Sequence, residues 1–294
     1  MSVVEKTSET GSLSGPAKTP QPAINSRKMM RFGLYLLAIT LSVWIIIPLY
    51  LITVSTFSTR NAITSKWPKD WFPNPISTET LEFFLNSQGI MPSVVNSLIV
   101  GLITLVLSLI IGAPAGYAIA RFIFPGRETY KVLILTTRAF PIVILSIPLA
   151  VSFLNFGLYD TLIAVAIVHT ALALPQTILV TSSIFVSVPV ELEEAAMTLG
   201  CHRMQAFTKI VLPMALPGLA AASIFAFVLS WNEVFASVIL TVQNRTLPAQ
   251  ILSSLNNSTL PLRYAGGFLL IVPSLVFILI IRRYLLGMWG RVIK

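Results

Sequence analysis

Six long apolar stretches, Phe32–Val54, Val94–Ala120, Val132–Phe153, Leu162–Phe185, Pro217–Val242 and Ala265–Ile281, set the strongest limit on what this chain can fold into. A helix that crosses a bilayer needs about 20 apolar residues, in a range of roughly 17–25. Backbone polar groups in hydrocarbon find partners only within one helix or around a closed barrel. Phe32–Val54 is continuously apolar and does not alternate, so a barrel is excluded. The expected fold class is an all-α integral membrane protein with six transmembrane helices.

The rest of the chain fits that class. Of its 294 residues only 11% are charged and 55% are hydrophobic, whereas a soluble domain carries about a quarter charged residues. The first apolar stretch is too long for the apolar core of a signal peptide, and no small-residue cleavage site follows it closely. Residues 1–26 are rich in Ser, Thr, Pro and Gly and read as disordered. The expected division is a disordered tail over 1–31, one membrane domain over 32–286 and a short tail over 287–294.

The net charge of +9 does not point to nucleic acid, because the basic residues alternate between sides of the membrane. With the amino terminus inside, 14 of the 20 Lys and Arg residues fall on inner segments and 5 on outer ones, with Arg138 inside a span. This bias is the positive-inside pattern. It places both termini and the segment 186–216 in the cytoplasm of a prokaryotic cell, and anionic headgroups suffice as partners for the charge. The single cysteine, Cys201, permits no disulfide, and no Cys/His spacing suits a metal. The tryptophans of the first outer loop, Trp67 and Trp71, fit the headgroup boundary. Gly112 and Gly116 sit four apart on the second span, a spacing that permits close helix approach.

The inner segment 186–213 holds the most particular pattern. Pro189 suits a first helical turn, and Glu191, Glu193 and Glu194 follow near the positive end of the helix dipole. Leu192, Ala195, Ala196 and Leu199 have helical spacing and form one small apolar face. Gly200 suits a left-handed helix stop. A second short helix over about Arg203–Ile210 leads to Leu212-Pro213 and back into the membrane. The unit is a helix–turn–helix on the inner surface. An amphipathic helix that merely covers the bilayer explains the apolar face, but not the whole run of Glu-Ala-Ala, Gly and Ile-x-Leu-Pro.

This segment resembles the cytoplasmic loop of binding-protein-dependent ABC-importer permeases, on Glu194, Ala195, Ala196, Gly200, Ile210, Leu212 and Pro213. Further stretches are similar to the carbohydrate branch, in particular its second, smaller permease of the maltose type. They are Asn96-Ser97, Gly116-Tyr117-Ala118-Ile119-Ala120-Arg121, Phe124-Pro125-Gly126, the run from Phe156 to Thr161, Ser230-Trp231-Asn232-Glu233, Leu247-Pro248 and Arg283-Tyr284-Leu285. The tail Gly290–Lys294 and the intramembrane Arg138 depart from the family pattern. The resemblance implies a type I permease fold and a half-transporter. A second, non-identical permease, two ATPase subunits and an external solute-binding protein would complete it. ATP and Mg would bind the ATPase partners, consistent with the absence of any G-x-x-x-x-G-K-[S/T] loop here. Coupling to the ATPase would run through Glu194, Ala195, Ala196, Leu199, Gly200, Ile210, Leu212 and Pro213. No catalytic residue and no metal site are expected.

Sugars are neutral and rich in hydroxyls, so their path needs donors, acceptors and flat rings. Candidates are Tyr117, Arg138, His169, Gln176, Trp231, Asn232, Glu233 and Phe235. Intramembrane charges either pair or serve function, so Glu233 lines the path or braces a neighbouring helix. His169 and Gln176, seven apart, share a helix face. Polyols, glycerol phosphate and polyamines remain alternative solutes. An ion-coupled carrier using Glu233, Arg138 and His169 lacks the internal repeat such carriers often have. A lipid-modifying enzyme lacks a clustered set of His, Asp and Glu.

Overall fold

The computed structural model describes residues 24–64, 71–254 and 258–289, with side chains over 28–64, 71–220, 222–254 and 258–280. The expectations for the tail before residue 24, for Trp67 and for Gly290–Lys294 lie outside the described residues. So do the side chains of Arg283, Tyr284 and Leu285.

The regular secondary structure of the described residues is all helical. Four helices are long and apolar enough to cross a membrane, and two bent pairs bring the number to six. In chain order they are α1 (Ile24–Thr56), α2 (Arg60–Thr64), α3 (Glu79–Leu85), α4 (Ile90–Arg121), α5 (Arg127–Thr136), α6 (Ile142–Asn155), α7 (Leu162–Ser187), α8 (Val190–Thr198), α9 (Arg203–Ala206), α10 (Leu212–Asn232), α11 (Phe235–Leu240), α12 (Leu247–Ser254) and α13 (Leu260–Trp289). Contacts divide the chain into residues 1–49 and 50–294. In the first unit α1 begins at Ile24, ahead of the expected boundary, and its side chains from Phe32 to Ile47 are exposed. Such a surface suits hydrocarbon.

The second unit centres on α4, α7 and α10, with α13 packed along α10. Small residues set the closest seam. A Cβ on Gly116 would lie 2.1 Å from Thr181 Oγ1 and 2.8 Å from the Ser182 backbone nitrogen, and one on Gly112 would lie 2.7 Å from Thr177 Cγ2. Thr181 Oγ1 also donates to the Gly112 carbonyl at 3.0 Å. The expected close approach at these glycines is therefore between α4 and α7. Without a hydrophobic drive between helices in lipid, this packing and the hydrogen bond across it hold the pair.

Two spans are not continuous helices. Of Pro48, Pro141, Pro148 and Pro175, which the sequence offers as interruptions, only Pro141 stands at a break. The third is broken: α5, with a 3-10 turn over Thr137–Ala139, meets α6 at 84°. Phe140 is extended (φ −76°, ψ 116°) and Pro141 follows it. A residue before proline is pushed out of helical geometry, and proline offers no N–H to continue the ladder. Pro48, Pro148 and Pro175, by contrast, sit inside continuous helices. The fifth span stops at Asn232, and Glu233 is extended (φ −75°, ψ 129°). The Glu233 carboxylate accepts from the backbone N–H of Phe235 at 3.0 Å and of Ala236 at 3.0 Å, so it caps α11. A side chain that bonds the next backbone donors competes with helix continuation. Glu233 is thus at a break and not within a continuous span.

Candidate functional site

The segment 186–213 forms an elbow. Helix α8 ends in a left-handed Gly200 (φ +91°). Gly200 N–H donates to the Met197 carbonyl at 3.0 Å and Cys201 N–H to the Ala196 carbonyl at 3.1 Å. This double closure is the Schellman stop the glycine implied. The second arm differs from expectation. A capping box between His202 and Gln205 starts α9, which passes through a π-helical stretch, Phe207–Val211, into α10. Arg203–Ile210 is therefore the continuous end of the fifth span and not a separate short helix.

Helix α8 has two faces. Leu192, Glu194, Ala195, Leu199 and Gly200 are exposed, with Leu199 at 87%. Ala196 is buried, together with Glu193, so it leaves the apolar outer face where the helical spacing put it. Ile210 and Leu212 are half-buried and Pro213 is exposed. Glu193 is the residue that sequence reasoning passed over. Its Oε2 meets Arg121 Nε at 3.0 Å, and the Tyr117 hydroxyl donates to its Oε1. Arg121 Nη2 also donates to the Val188 carbonyl at 2.8 Å, just past the end of α7. The Tyr117 ring packs edge-on to Phe185 and tilted against Phe207. Tyr117, a candidate for the solute path, is instead buried in this cluster.

A second feature lies in the angle of the broken third span. A cleft of about 590 Å³ is lined by Arg138, Phe140, Leu145, Leu172, Leu229 and Glu233 among others. Arg138 Nη1 donates to Gln176 Oε1 at 2.6 Å. The Glu233 carboxylate meets His169 Nε2 at 3.0 Å, and His169 Nδ1 lies 2.8 Å from Ser230 Oγ. Ser230 reaches Thr104 on α4 at 3.3 Å. His169 and Gln176 therefore serve different partners despite sharing a helix face. Trp231 is fully buried, donates its indole N–H to the Leu270 carbonyl at 2.9 Å and stacks on Phe227. Asn232 is exposed and bonds the Val228 carbonyl, and Phe235 is exposed beside it.

The end of the second unit opposite the elbow is fastened by Asp160. Its Oδ1 accepts from the backbone N–H groups of Val242, Gln243 and Asn244 at 2.9, 3.1 and 3.1 Å. Partial burial opposes ionisation, but these three donors and the nearby Arg245 outweigh it and hold the carboxyl below its ordinary value. Asn96 Nδ2 donates to the Arg245 carbonyl at 3.0 Å, and Ser97 Oγ accepts from the Leu247 N–H at 2.7 Å.

Residues 108–286 match the family described as the binding-protein-dependent transport system inner membrane component. The chain belongs to this family. It is a multi-pass, non-catalytic inner membrane permease subunit of an ABC importer. It is 29% identical over 262 residues to the diacetylchitobiose uptake system permease protein DasC of Streptomyces coelicolor, covering 87% of this chain and 95% of that protein. It is 30% identical over 231 residues to the trehalose transport system permease protein SugB of Mycobacterium tuberculosis, covering 76% and 84%. Among solved structures, a bacterial ABC transporter involved in the import of the acidic polysaccharide alginate shares the fold, with a TM-score of 0.68 and 22% identity over 90% of this chain and 99% of that one. The permease fold thus carries the elbow at one end and the cleft in its broken third span.

Proposed function

We propose that this permease subunit forms half of the translocation path of a sugar importer and takes its driving force from a separate ATPase through the elbow. The observation that carries this is the outer face of α8 and its stop: Glu194 and Ala195 on the helix and Leu199 and Gly200 just past it are exposed together, and the helix is fixed from behind. An apolar patch with an acidic edge fits a cleft in another protein, which would cover Leu199. The complete assembly contains a second, non-identical permease, two ATPase subunits that bind ATP and Mg, and an external solute-binding protein. Both termini and the elbow lie on the ATPase side, as the distribution of Lys and Arg supports. The membrane domain runs over 32–286 with the elbow at 186–213.

The relatives named for diacetylchitobiose and trehalose uptake support a sugar as solute. The cleft suits one: apolar walls for a sugar face, and the Arg138 fork, steadied by Gln176, for its oxygens. Polyamines are disfavoured, because the one acid of the cleft, Glu233, already has His169 and two backbone donors. A sugar bearing an anionic group is a second reading, favoured by Arg138. The test is co-purification of the complex followed by binding of its external receptor to a panel of neutral and acidic sugars. Saturable binding of one of them supports the reading. Retention of polyamines alone, or of no sugar in the panel, refutes it.

A further inference from the structure

We propose that Glu193, Arg121 and Tyr117 form a latch that carries the displacement of the elbow directly to the second span. This rests on the docking of the elbow to an ATPase. The chain itself joins α8 only to α7 and α10. Nothing in the connectivity ties it to α4, whose end lies 72 residues earlier than Glu193. The latch makes that tie. Both oxygens of the Glu193 carboxylate are engaged by α4, one by Arg121 and one by Tyr117. The same guanidinium grips the Val188 carbonyl, so α4 holds the start of the elbow at two points.

The mechanics follow from the packing. Residues 188–189 are the only backbone between α7 and α8, and both are extended (ψ 125° and 130°). A load on α8 would swing it about this link if nothing opposed rotation. Glu193 opposes it from the face behind the exposed Glu194, since consecutive helical residues point about 100° apart. One acid faces outward and its neighbour inward. The pair is 10% and 3% exposed, so it is shielded from water and salt. Apolar packing would hold the corner about as well, but it resists sliding less than a bonded ion pair does. The α4–α7 seam at Gly112 and Gly116 completes the unit: α4, α7 and α8 move as one body at this end. The latch is a two-sided restraint that a displaced elbow must either carry with it or break.

The test uses the assembled transporter, with spin labels on the native Cys201 and on Ile110→Cys in α4. In the latched protein the distance between the labels is expected to be the same in the nucleotide-free and the ATP–vanadate states. In Glu193→Ala a second, longer population is expected on adding ATP and vanadate, with Arg121→Lys and Tyr117→Phe intermediate. If Glu193→Ala does not assemble, Glu193→Gln, which keeps the shape and loses the charge, carries the same comparison. An unchanged distance distribution in the Glu193 variant overturns the latch, as does a wild-type distance that shifts between states. The docking of the elbow is tested separately by the mobility of the Cys201 label. A label that stays as mobile with ATPase subunits as without them refutes docking, whatever Glu193 does.

Discussion

His169 Nε2 lies 3.0 Å from Glu233 Oε2, and this contact joins α7 to the break that ends the fifth span. The imidazole is fully buried and its other nitrogen is held by Ser230. Replacing it by alanine leaves a largely buried carboxylate with backbone donors alone. Removing one partner of such a pair costs about 3–5 kcal/mol. His169→Ala is therefore expected to unfold at a lower temperature in detergent by an amount of this order, and Glu233→Gln to lose less, because an amide still bonds the imidazole and the α11 N–H groups. Equal melting of wild type and His169→Ala would show that the contact contributes nothing.

Gly116 offers a sharper steric test. A Cβ there would meet not only the Thr181 hydroxyl, which can turn away, but also the Ser182 nitrogen and the Ile178 carbonyl at 2.8 and 2.9 Å. Backbone cannot yield without separating the helices. Gly116→Ala is expected to cost about 1–3 kcal/mol, and Gly116→Val to prevent accumulation in the membrane. Gly33→Ala, where nothing lies within 4 Å, is expected to accumulate normally. Immunoblots of membrane fractions make the comparison.

At the elbow, Glu194→Lys is expected to abolish uptake while the protein stays in the membrane at wild-type level. Gly200→Asp is expected to do the same. Nothing in the chain lies within 4 Å of a Cβ at Gly200. The left-handed backbone there costs an L residue only about 1–2 kcal/mol. Loss of transport with normal abundance would then report a clash with a docked partner. Uptake and ATPase retention during purification are the measurements, and normal values in both variants exclude the elbow as the contact.

Asp160 gives a pH dependence with a definite sign. Its folded carboxyl titrates below its ordinary value. The stabilisation it provides is complete above the unfolded value of about 3.9 and fades as pH falls through the lower folded value. Asp160→Asn keeps the shape and suits the left-handed backbone (φ 59°), which Asn tolerates well. The melting temperature of wild type is expected to exceed that of Asp160→Asn at neutral pH, and the gap to close in strong acid. A gap that stays constant across the titration would assign the fastening to geometry alone.

Much of this was legible in the residues. Continuous apolarity announces spans, and Glu-Ala-Ala with Gly200 announces a helix and its stop. Pro141 marks an interruption of its span in the string, but Pro48, Pro148 and Pro175 carry the same mark, and the break at Glu233-Val234 carries none, because hydropathy averages over a window. Pro141 breaks a span while Pro148 and Pro175 do not, and only the packing around each decides that. The division of labour between Glu193 and Glu194 was equally hidden. Adjacent acids look alike in a string, and the one that turns inward is selected by Tyr117 and Arg121 from a distant helix. Trp231 looked like a ring for stacking on sugar, yet its indole N–H had a carbonyl waiting on α13.

The corner at Phe140 and Pro141 has a wider consequence. A helix that ends leaves carbonyl oxygens without partners in its last turn, and oily tails offer them nothing. Broken backbone at that depth persists where moisture or another polypeptide reaches it. The crook of the third span therefore marks a place that must stay wet or covered throughout the working cycle, and wherever it is wet, part of the barrier to a hydrophilic cargo is removed before any nucleotide is spent.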